Sequence, residues 1–129
     1  MKDVSDTELL QVIKDFLEMG HVDNIVAMFY REPHYLKWTA KVLDDERFNV
    51  RLGVSVLFEE LSSRHAEHLD LAIPGLLKLL DDDRPLIRGE ALSVLAIIDG
   101  PDLRSNTEEM LNDQDPQVRE IAIDVIESM

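Results

Sequence analysis

The chain has 129 residues, 45% apolar and 31% charged, with 27 acidic against 13 basic side chains and a net charge of −14. That length suits one domain with a thin-margined core, and the charge argues against nucleic acid and anionic membranes as partners. The absence of cysteine excludes disulfides, thiol catalysis and thiolate metal sites.

Ser5-Asp6-Thr7-Glu8 reads as a capping box, and Leu9, Ile13, Phe16 and Leu17 follow at helical spacing until Gly20. Val22, Ile25, Val26 and Phe29 stripe a shorter second helix that Pro33 ends. Leu36, Thr39, Ala40 and Leu43 mark a third, broken by DDERFN at 44–49. Val50, Val54, Leu57 and Leu61 make a fourth, and the polar SSRHAEH at 62–68 reads as a turn. Leu69, Ile73, Leu76, Leu77 and Leu80 predict a fifth, bent at Pro74-Gly75. Ile87, Ala91, Val94 and Ile98 form a sixth, closed by Gly100. Pro101 starts a seventh carrying Leu103, Thr107, Met110 and Leu111. Asp115 and Pro116 cap an eighth with Val118, Ala122, Val125 and Met129 on its stripe. No stretch alternates with period two, so the expectation is an all-α chain of four helix pairs. No apolar run approaches the ~20 residues of a membrane span, and MKDVSDTELL lacks a signal peptide's apolar centre; a cytoplasmic location is expected.

The breaks align. LDDERFNVRLGVSVL (43–57), LDDDRPLIRGEALSV (80–94) and LNDQDPQVREIAIDV (111–125) superpose without gaps, an internal repeat of helix-pair length. Acids stand before a helix N-terminus, where the dipole favours them. Val50, Ile87 and Val118 open each core stripe, and Val54, Ala91 and Ala122 follow one turn on. Arg51, Arg88 and Arg119 lie ~100° round the helix, pointing along the stack. Asp45, Asp82 and Asp113 stand six residues earlier, so each arginine can bond an aspartate of its own turn or of the next.

IPGLLKLL (73–80), the acidic turn, and then IRGEA (87–91) and VREIA (118–122) resemble the HEAT repeat family, in particular the short prokaryotic HEAT-like repeats also found in phycobilisome bilin lyases. VRLGV (50–54) departs with Val54 for alanine, and in the amino-terminal pair Asp23 stands where the arginine belongs. The resemblance covers about residues 33–129 and implies a right-handed α-solenoid, a single domain with a degenerate cap at 5–31 and repeats at 33–63, 69–99 and 101–129. It also implies that the second helix of each pair lines a concave face. By the helical period that face holds Leu52, Val56 and Glu59, then Gly89, Ser93 and Ala96, then Glu120, Asp124 and Glu127, with Asn24, Met28 and Arg31 from the cap.

Other constellations read more plainly as structure. The three Asp–Arg sets could be anion sites, but three copies at repeat spacing fit a hydrogen-bonded ladder between turns. His65 and His68 share helical spacing, yet no third ligand is evident, and no metal or cofactor is expected. MFYREPHYLKW (28–38) gathers Phe29, Tyr30, Tyr35 and Trp38, either as core or as the wall of a pocket. No nucleophile, P-loop or dinucleotide motif is present. The expected function is non-enzymatic: a small adaptor or scaffold whose partly acidic concave surface binds a protein, selecting a basic flank. The family resemblance offers an alternative, an accessory subunit handling a chromophore as in bilin lyases. The apolar arc from Ile121 through Val118 to Ile126 leaves the chain a monomer or a weak homodimer through its last repeat.

Overall fold

The hydroxyl of Ser5 accepts a hydrogen bond from the Glu8 amide at 3.1 Å, and the first helix, α1 (Asp6–Glu18), starts there. Gly20 ends its turn at φ +85°, a left-handed conformation that glycine adopts without cost. The computed structural model describes residues 5–129, and among them every regular element is helical. After α1 come α2 (Val22–Arg31), α3 (Thr39–Leu43), α4 (Phe48–Arg64), α5 (Ile73–Leu79), α6 (Pro85–Ile98), α7 (Leu103–Met110) and α8 (Pro116–Glu127). At α8 the Asp115 carboxylate accepts from the Gln117 and Val118 amides at 2.8 and 3.1 Å, with Pro116 in the first turn.

Several boundaries differ from the sequence reading, among them the start of α7, which is Leu103 rather than Pro101 because residues 101–102 form a turn. The third and fifth helices are each split into a 3-10 stretch, Pro33–Trp38 and Ala66–Ala72, followed by a short α-helix. Pro74 has no N–H with which to continue an i→i−4 ladder, so it sits in the first turn of α5 rather than at a bend inside it. The 62–68 segment is only partly a turn, because α4 runs on to Arg64. There Arg64 pairs with Glu60 one turn back at 3.1 Å, and the His65 amide still reaches the Leu61 carbonyl. Finally, α6 closes on Asp99, which takes the left-handed conformation itself at φ 56°, rather than on Gly100.

The second helices lie side by side, α2 on α4, α4 on α6 and α6 on α8, while α3, α5 and α7 each pack on the helix that follows them. Val50, Ile87 and Val118 are buried, as are Val54, Ala91 and Ala122 one turn later. Phe29, Phe58, Leu43, Leu57, Leu76 and Leu92 fill the space between the layers. Glycines on α4 and α6 allow close approach to α1 and α8. A Cβ on Gly53 would stand 2.8 Å from the Leu17 Cβ of α1, and one on Gly89 would stand 2.8 Å from the Ile121 Cδ1 of α8. Among the described residues no helix is long and apolar enough to cross a membrane.

Candidate docking surface and the turns that hold it

All three repeat arginines turn back on their own turns. The Arg51 Nη1 donates to the carbonyls of Asp45 and Glu46 at 2.9 and 2.8 Å. Arg88 donates in the same way to Asp82 and Asp83 at 2.9 and 3.2 Å, and Arg119 to Asp113 and Gln114 at 2.6 and 3.1 Å. Each guanidinium thus satisfies two carbonyls that the turn leaves without backbone partners.

The aspartate carboxylates follow another rule, set by the residue two places on. Asp45 accepts from the Arg47 amide, Nε and Nη2 at 2.8, 3.0 and 3.1 Å. Asp82 accepts from Arg84 through the same three groups at 2.9, 2.9 and 3.0 Å. In the last turn that position is Asp115, which offers only its amide, at 2.9 Å. Asp113 is then free to take a two-pronged bond from Arg88, one repeat back, with Nε at 2.9 Å and Nη2 at 2.8 Å. A ladder drawn from sequence alone leaves out Arg47 and Arg84, although D-x-R at 45–47 and 82–84 against D-x-D at 113–115 carries the signal.

These pairs also join neighbours. Arg47 reaches Asp15 and Glu18 of α1 at 3.0 and 3.1 Å, and Lys14 reaches Asp45 at 3.4 Å. Arg84 reaches Asp44 of the preceding turn at 2.8 Å. Hydrogen bonds from Arg47 and Arg84 hold the Asp45 and Asp82 carboxyls down to about 2. The Arg88 bonds hold Asp113 below its ordinary value, and those of Arg47 do the same for Asp15.

Arg51 is the exception. It is 6% exposed, yet its Nε is buried without a partner, where the matching Nε of Arg88 holds a carboxylate. The Phe48 ring lies with its centroid 6.0 Å from the guanidinium carbon. Glu90, half-buried on α6, is pushed up by burial, and the nearby charge of Arg51 pulls it partly back.

The residues assigned to one face fall into different places. Leu52 and Val56 are 48% and 40% exposed, and Phe48, one turn before Leu52, is 61% exposed. The three stand at i, i+4 and i+8 on α4, one above another. Glu59, Glu120, Asp124 and Glu127 are exposed. Gly89 is not on a surface: the Ile121 side chain of α8 covers it, because its direction is sideways, into the next helix. Ser93 and Ala96 are half-buried and line a cleft of about 390 Å³ between the carboxyl-terminal ends of α6 and α8, with Asp99, Ile121, Asp124 and Val125. Asn24, Met28 and Arg31 line a separate shallow depression with Leu9 and Tyr35.

Of the aromatic segment, Tyr35 stacks on Phe29 and meets Trp38 edge-on, with ring centroids 6.2 and 4.9 Å apart. A second depression beside it, about 280 Å³, is lined by Phe29, Tyr30, Pro33, Leu36 and His65, and like the one at Tyr35 it does not include Trp38. His65 stacks on Tyr30 at 3.9 Å, and among the described residues no group of three histidine or carboxylate side chains is placed to hold a metal. The arc proposed for self-association is largely covered, with Val118 buried and Ile121 set over Gly89. The exposed apolar residues of that end are Ile123 and Met129. In comparison with known proteins, no family model, no curated protein and no solved structure matches the chain.

Proposed function

We propose that the chain is a non-enzymatic docking module, a HEAT-like solenoid of four helix pairs that binds a protein partner across its second helices. The observation that carries this reading is the row of Phe48, Leu52 and Val56, three large apolar side chains left exposed at helical spacing on α4. Scattered apolar residues are normal on a surface, but a contiguous row on one helix is the pattern of an interaction site. The side-by-side order of α2, α4, α6 and α8 supports the solenoid, since each unit then touches chiefly its neighbours.

The absence of chemistry in this reading rests on where the perturbed carboxyls sit. Asp15, Asp45, Asp82 and Asp113 are shifted by ion pairs that join turns and helices, and Glu90 by burial between α4 and α6. Each of the four aspartates has a structural task. The net charge of −14 favours a partner whose docking segment is apolar with a basic flank.

The test compares three baits in native lysate: the wild type, a Leu52→Glu/Val56→Glu variant, and a Glu120→Lys/Asp124→Lys/Glu127→Lys variant, all checked for helical circular dichroism. The reading expects one protein retained by the wild type and lost with the α4 variant, with weaker retention by the α8 variant. Retention by all three, or by none, contradicts it.

A further inference from the structure

The cleft between α6 and α8 differs from the α4 row in chemistry. Ser93 and Ala96 from α6 and Ile121 and Val125 from α8 are half-buried and form its inner wall. Asp99 and Asp124 line it and are exposed. Among the described residues neither carboxylate has a cation within ion-pairing distance. No basic side chain lines the cleft.

A cleft that sets an apolar wall beside unpaired carboxylates fits a long side chain with a methylene stem and a cationic head. Aliphatic ligands without charge would leave the acids unused, and anions are repelled. We propose that this cleft takes a lysine or arginine side chain of the docking partner, the stem against Ile121 and Val125 and the head between Asp99 and Asp124. The inference rests on the docking reading and names the specificity element within it. Ser93 and Ala96 matter by being small, since a larger side chain at either position would fill the space the stem needs.

The test uses methyl-labelled protein and two synthetic helical peptides, one of leucine and arginine, the other with citrulline, an uncharged isostere, in place of arginine. The expected result is a saturable shift of the Ala96, Ile121 and Val125 methyls with the arginine peptide, at least tenfold weaker with the citrulline peptide. An Asp99→Asn/Asp124→Asn variant should abolish that difference. Asparagine tolerates the left-handed backbone at position 99, and the variant removes only two of 27 acids, so unspecific attraction barely changes. Equal binding of both peptides, or an unchanged preference in the variant, overturns the proposal. Shifts confined to the Leu52 and Val56 methyls overturn the cleft assignment and leave the docking reading standing, whereas no shift at any methyl overturns both. Cleft shifts that grow with protein concentration alone assign the cleft to a second copy and likewise overturn it.

Discussion

Arg88 of α6 grips the carboxylate of Asp113 with two parallel bonds of 2.9 and 2.8 Å, while its remaining nitrogen holds two carbonyls of its own turn. One guanidinium thereby fastens two successive turns. The pair is largely covered, with side-chain exposures of 14% and 9%, and removing one partner of a covered pair strands the other charge. Arg88→Met should cost about 3 kcal/mol. Arg119 makes the carbonyl bonds without a carboxylate, so Arg119→Met should cost about 1–2 kcal/mol, two hydrogen bonds' worth. Urea unfolding of the two variants checks the order.

In the repeat register Arg51 stands to Asp82 as Arg88 stands to Asp113. Asp82 is the counterpart of Asp113, but Arg84 holds it, and the Arg51 Nε stays unpaired. Arg84 also occupies the N-cap of α6 without capping it. Arg84→Ser should supply a cap worth about 1 kcal/mol and release Asp82 toward Arg51. Its melting temperature is expected to be at or above that of the wild type, despite the lost ion pairs. A double-mutant cycle between Arg51→Met and Asp82→Asn should show little coupling in the wild type and about 1 kcal/mol in the Arg84→Ser background.

Gly53 and Gly89 should respond differently to alanine. At Gly53 the obstacle is the Leu17 Cβ, fixed to its backbone, so helices α1 and α4 must separate. Gly53→Ala should destabilise by about 1–3 kcal/mol. At Gly89 the obstacle is the Cδ1 at the far end of Ile121, which can rotate away. Alanine also gains about 1 kcal/mol of helix propensity there, so Gly89→Ala should be near neutral. Thermal melts of both separate the cases.

Glu90 and the turn aspartates give stability opposite dependences on pH. Burial raises the folded-state value of Glu90 above its ordinary 4.5, so the folded chain binds the extra proton and stability falls as pH rises from 4.5 through that value. Glu90→Gln should therefore stabilise the protein at pH 7 and change nothing at pH 3.5. Asp45 and Asp82 are held down to about 2 from 3.8, so their contribution is complete above 3.8 and is lost as pH falls toward 2. Denaturation profiles of the wild type and Glu90→Gln across pH 2 to 8 read both effects.

What could be read in the sequence follows from what is local. The starts of α1 and α8 were legible because Ser5 and Asp115-Pro116 encode them within one turn of chain. The 3-10 stretches before α3 and α5 were not, since a 3-10 and an α-helix place apolar residues at nearly the same spacing over six or seven residues. Angular position on a single helix located Leu52 and Val56 on the surface but misplaced Gly89, whose burial depends on the side chain that α8 sets over it. The arginine–carbonyl bonds recur at one sequence distance, so the repeat exposes them. The pairing of each aspartate depends on the charge two residues on, visible only when the three turns are compared position by position.

The most direct test of the docking reading is photo-crosslinking in cells from a benzoylphenylalanine placed in turn at Phe48, Leu52 and Val56, with exposed Lys78 of α5 as the control position. The reading predicts that the three α4 positions trap the same protein and that position 78 does not. No adduct from α4, or the same adducts from position 78, would contradict it.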